Sequence, residues 1–127
     1  MDQRLNIDEE IPAFYGAIIL ELPVDKKEDE ITHLLGKDVS ICDYDDIKEV
    51  TYIEISKTQC WELDDFLSSV FEKCELKQLK KVSEQLHAQV WVCISFYHKK
   101  RFPALIIESE NMEIIRELKA CISIDPY

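Results

Sequence analysis

Only two glycines, Gly16 and Gly36, occur among 127 residues. That scarcity argues against a glycine-rich phosphate cradle, long flexible linkers and low-complexity structure. The five cysteines (Cys42, Cys60, Cys74, Cys93, Cys121) form no C-x-x-C pair, and the three histidines (His33, His87, His98) form neither an H-x-x-x-H motif nor a Cys-plus-His cluster with metal spacing. No metal or cofactor is expected. A G-x-S-x-G elbow and a recognisable Ser, His, Asp order are also missing, so the chain reads as a non-enzyme. No apolar run approaches the roughly 18 residues that a membrane span needs, and Met1 to Glu10 is polar and acidic rather than leader-like. With the odd, scattered cysteines read as reduced thiols, a cytoplasmic location is expected.

Positive charge is scarce as well. Against 26 Asp and Glu stand 15 Lys and Arg, a net charge of −11. The excess is confined to the first half, which carries −12 as far as Asp65, whereas the remainder carries +1. Such a field repels nucleic acid and anionic membranes and steers basic proteins toward it. Acidic tips invite a Ca²⁺ reading at Asp43, Asp45 and Asp46, but the glycine and terminal Glu of an EF-hand loop are missing, so a solvated turn is the better description.

What remains is a well-patterned globular chain, 46% hydrophobic, of one domain spanning 1–127. Residues 1–14 are expected to be extended or partly mobile. Gly16 to Leu22 reads as a strand closed by Pro23. Asp25 and Glu28 form a capping box for a short helix with Ile31, Leu34 and Leu35 on its apolar face, ended by Gly36. Strand patterning returns on both sides of the acidic tip, from Lys37 to Ser56. The spacing of Leu63, Phe66, Leu67, Val70, Phe71 and Cys74 predicts a helix. Leu79, Val82 and Leu86 lie out of phase with it, so a break near Glu75 divides two helices. Gln89–Tyr97 and Phe102–Ile107 are expected to form a central hairpin turning at His98, Lys99, Lys100 and Arg101, with Trp91 in the core. A helix capped by Ser109 or Asn111, buried through Met112, Ile115 and Leu118, leads to a last strand, Cys121 to Asp125. The class is α+β: a mostly antiparallel sheet with helices packed on one face, in a ferredoxin-like arrangement.

Several stretches together resemble the bacterial domain-of-unknown-function family 4279: Asp29-Glu30-Ile31-Thr32-His33-Leu34-Leu35-Gly36, Trp61-Glu62-Leu63, Phe102-Pro103-Ala104-Leu105 and Ile122-Ser123-Ile124-Asp125-Pro126-Tyr127. The resemblance covers Ala17 to Tyr127. It departs from the family pattern after Gly36, where a Pro and a longer Gly-containing loop are usual, and at Pro126, where a second aliphatic residue is usual. It implies the fold and a bacterial origin and carries no catalytic residue. By type rather than by motif, the small acidic chain also resembles immunity proteins of contact-dependent growth inhibition systems.

The leading functional expectation is therefore a toxin-neutralising immunity protein. It binds a basic toxin domain, a nuclease by charge, through Asp43, Asp45, Asp46, Glu49, Glu62, Asp64 and Asp65. Neither nucleic acid nor membrane is expected as a partner. Two alternatives stand beside it: a small ligand-binding regulator or enzyme with a pocket between sheet and helices, near His98 and Arg101, and a homodimeric structural module. Cys60 or Cys93 with His98 could make a nucleophile and base, and Glu62, Asp64 and Asp65 a carboxylate pair. The structural readings, inert core thiols and charge complementing a helix N-terminus, are preferred.

Overall fold

A computed structural model describes residues 13–23, 32–33, 40–45, 47, 49–97 and 104–126. Most of the expected first helix lies outside this set, although Thr32 and His33 are helical. Residues 1–12, Asp46 and the basic run His98 to Arg101 also lie outside it. The described elements are β1 (Ala13–Pro23), β2 (Ser40–Asp45), β3 (Val50–Cys60), α1 (Leu63–Glu72), α2 (Leu76–Gln85), β4 (Gln89–Tyr97), α3 (Ser109–Leu118) and β5 (Cys121–Pro126).

The five strands form one sheet in the order β2-β3-β1-β4-β5. Neighbours within β2-β3-β1-β4 are antiparallel. That is the order of two interlocked split βαβ units, the ferredoxin-like arrangement. β5 is added beside β4 in parallel. Strand order begins two residues before Tyr15, and Phe14 belongs to the core. On β1 the residues Phe14, Ile18, Leu20 and Leu22 are buried, facing Phe96, Val92 and Val90 of β4 in register. The Phe14 and Phe96 rings meet across the strands at 5.9 Å between centroids, a cross-strand pair of the kind that stabilises a sheet locally. Gly16 sits in this row for a steric reason: a Cβ there would lie 1.9 Å from the Cys93 carbonyl oxygen.

The helices cover this face. Leu63, Phe66, Leu67, Val70 and Phe71 of α1 are buried against it, and Leu79 and Val82 of α2 and Leu118 of α3 join the same core. Burying a side chain of this size contributes about 1.5–3 kcal/mol, so the i, i+3, i+4 stripe is what holds α1 on the sheet. α1 and α2 are separate helices divided at Glu75, as the phase slip predicts. Each of the three helices follows a glutamate, Glu62, Glu75 or Glu108, that makes no side-chain capping bond. Negative charge at these ends complements the helix dipole without a cap. At the other ends, Ala88 N–H donates to Ser83 O and Ala120 N–H to Ile115 O, the six-to-one bond of a Schellman motif. His87 and Lys119 occupy the left-handed position there, with φ of 54° and 53°.

Three expectations are corrected. The hairpin after β4 does not form: residues 104–108 are neither helix nor strand, and both sides of β4 are taken, by β1 and β5. A parallel β4–β5 pair requires a long crossover, and the segment holding residues 104–108 and α3 supplies it. Trp91 is half-buried on the sheet face opposite the helices, where its Nε1–H donates to Glu21 Oε1 at 2.9 Å. Period two puts Trp91 and the buried pair Val90 and Val92 on opposite faces. In α3 the buried side chains are Asn111 and Leu118, whereas Met112 is 57% exposed. The helix begins at Ser109 after Glu108, so neither Ser109 nor Asn111 is its cap.

Candidate functional site

The structure divides the acidic candidates into two groups. Asp43 and Asp45 lie on β2, paired with Tyr52 and Val50, and Glu49 stands exposed in the β2–β3 turn with φ 57°. Asp45 Oδ1 accepts the Ile47 N–H at 3.0 Å, closing the turn. Asp46 lies outside the described residues. Glu62, Asp64 and Asp65 stand at the start of α1, beyond the far end of β3. At roughly 3.3 Å per residue, the ten steps from Val50 to Cys60 separate the groups by about 33 Å. They cannot form one compact patch.

The α1 group is built into a rigid corner. Asp64 Oδ1 accepts the backbone N–H of Glu108 at 2.8 Å and the amide of Asn111 at 2.9 Å. Asn111 Nδ2 also reaches Asp64 O at 3.2 Å and Ser68 Oγ at 3.0 Å. These bonds tie the N-terminal turns of α1 and α3 together across 44 residues of chain. Asp64 is thus a tie within the fold, and the carboxylates left outward are those of its exposed neighbours Glu62 and Asp65, with Glu108 and Glu110 on the α3 side. Exposed apolar side chains arrive at the same corner: Trp61, 39% exposed, precedes α1, and Leu105, Ile106 and Met112 flank the start of α3, with Ile106 59% exposed. Asn111, which the sequence offered as a helix cap, is instead a buried partner of Asp64. Its signal was a polar side chain at a helical position one turn before Ile114 and Ile115, on the side that packs inward.

Behind the corner, β3 turns from the apolar Ile53 and Ile55 to polar groups facing α1 at Ser56 and Thr58. Ser56 Oγ donates to Val70 O at 3.0 Å and lies 3.2 Å from Cys74 Sγ, and Thr58 Oγ1 meets Ser69 Oγ at 2.9 Å. Lys73 Nζ caps the seam by donating to Lys57 O at 2.9 Å. Burial, and after it the charge of Asp65, push the Cys60 thiol above its ordinary value. A thiol held protonated is a poor nucleophile. Among the described residues no three His, Cys, Asp or Glu side chains are placed to hold a metal ion, no buried side-chain nitrogen or oxygen lacks a partner, and no helix is long and apolar enough to cross a membrane.

What this corner can do chemically is bind. Exposed aromatic and aliphatic side chains close in the chain to carboxylates have the composition of a protein–protein contact surface. Trp61 and Met112 stand at two helix starts tied to each other through Asp64, and Leu105 and Ile106 lie in the irregular segment that leads into α3. Compared with protein-family models, curated proteins and solved structures, the chain matches none.

Proposed function

We propose that this chain is a binding protein of the immunity type, which neutralises a basic toxin domain, a nuclease by charge, by docking it on the α1–α3 corner. The observation that carries the reading is the tie at Asp64, because it gathers Trp61, Leu105, Ile106 and Met112 beside Glu62, Asp65, Glu108 and Glu110. The net charge of −11 supports it through long-range attraction of a basic partner, and the apolar centre supplies the short-range part. The β2–β3 turn, with Asp45 and Glu49, offers charge beside Ile47, which among the described residues of the turn is the one exposed apolar side chain, and is the weaker surface.

The test is co-purification with the product of the neighbouring toxin gene, followed by affinity measurements at increasing salt. Trp61→Ala, and Glu62→Lys with Asp65→Lys, are expected to weaken binding at least tenfold. Asp45→Lys with Glu49→Lys is expected to slow association modestly. A reversed ranking would move the interface to the turn, and the absence of any toxin protection by the intact protein would reject the immunity reading.

A further inference from the structure

A concavity of about 560 Å³ lies where α2 and α3 end beside the start of β4, at the end of the sheet away from Trp61. Its lining includes Lys80, Glu84, His87, Arg116, Glu117 and Lys119. The volume is within the range of roughly 300–1,000 Å³ used by small-molecule sites. In a protein of charge −11 this lining is positive, since three Lys and Arg and one His face two Glu.

The cations are not equivalent. Lys80 pairs with Glu117 at 3.3 Å, and Arg116 pairs with Glu113 and lies 3.9 Å from Glu117, so Glu117 is shared by two cations. The His87 ring and the Lys119 ammonium have no hydrogen-bond or ion-pair partner among the described residues. Both residues stand in the left-handed conformation that follows a helix, φ 54° and 53°, where glycine is the usual occupant. Helix C-termini would by themselves repel an anion. Some of the terminal carbonyls are engaged here: Ser83 O accepts Ala88 N–H at 2.9 Å, Ile115 O accepts Ala120 N–H at 3.0 Å, and Arg116 O accepts Lys119 N–H at 3.0 Å. Gln89 Nε2–H donates to Lys119 O at 2.9 Å and fixes this turn to the start of β4.

The geometry points to a site for a small, multiply charged oxyanion, a phosphate monoester or a polycarboxylate, held between His87 and Lys119 with Arg116 at the rim. This site is separate from the α1–α3 corner and stands whether or not a protein docks there. The intact chain is titrated with inorganic phosphate and, separately, with citrate at constant ionic strength, and amide shifts are followed by NMR. Saturable shifts confined to residues 83–89 and 116–120 are expected. Lys119→Gly and His87→Gly keep the left-handed turn without its strain, so both fold, and each is expected to weaken the titration at least tenfold. Saturation by phosphate alone assigns a phosphate monoester, and saturation by citrate alone assigns a polycarboxylate. No saturable shift with either probe, or unchanged affinity in both variants, overturns the proposal.

Discussion

Replacing Gly16 by Ala tests how closely the two central strands approach. The new methyl carbon would lie 1.9 Å from Cys93 O and 3.0 Å from Cys93 C. Both are backbone atoms of β4, so no side chain can swing away, and β1 and β4 must separate near the Gly16–Ile94 pair. Overpacking of this kind costs about 1–3 kcal/mol. Each ladder hydrogen bond loosened with it adds about 0.5–1.5 kcal/mol. Ala returns about 0.4–1 kcal/mol by restricting the unfolded chain. With one ladder bond loosened the net loss is about 0.5–4 kcal/mol, and at roughly 3–5 °C per kcal/mol for a chain of this size Tm falls by about 2–20 °C. Urea and thermal denaturation followed by far-UV circular dichroism measure it, with amide exchange at Ile94 as the local probe. A Gly16→Ala protein as stable as the parent would refute the close approach of the strands and, with it, the register built on it.

Asp64→Ala and Asn111→Ala should each cost about 1.5–3 kcal/mol, as expected for a hydrogen bond to a charged group, and the double variant should reveal a coupling of about 1 kcal/mol or more; additive losses in urea denaturation would dissolve the tie between α1 and α3. Cys60 should react with iodoacetamide after the exposed Cys121 and only at more alkaline pH, read by mass spectrometry of the intact and digested protein. Because its thiol is raised in the folded state, its contribution to stability is full below the ordinary thiol value and is lost as pH rises through the raised one; early modification of Cys60 at neutral pH would contradict this. Trp91→Phe should cost no more than about 1.5–3 kcal/mol, the worth of a hydrogen bond to the charged Glu21, and a much larger loss would return Trp91 to the core.

Periodicity made the helices legible. The stripe from Leu63 to Phe71 and its slip at Glu75 follow from local spacing alone, whereas in Gln89–Tyr97 the strand is legible but not its buried face, since Trp91 is expected in the core and Val90, Val92, Ile94 and Phe96 fill it instead. The partners of a strand are not local. Gln89–Tyr97 and Phe102–Ile107 look like hairpin arms because both are apolar, yet the two flanks of β4 go to β1 and β5. The arrangement of the acidic residues was hidden for the same reason. Asp45 and Asp65 belong to one negative half of the chain, and an 11-residue strand holds them at opposite ends of the sheet. Asn111 could not be assigned to Asp64 from sequence, since their contact spans 47 positions.

The central place of β1 carries a consequence for synthesis. Ala13 pairs with Tyr97, 84 residues later, and at roughly 5–20 residues per second β1 leaves the ribosome about 4–17 s before its second neighbour exists. During that interval β1, with its apolar residues Phe14, Ile18, Leu20 and Leu22, can pair along one edge only, with β3. Nascent chains halted before residue 89 should therefore bind chaperones that recognise apolar strands, and release them once β4 has emerged.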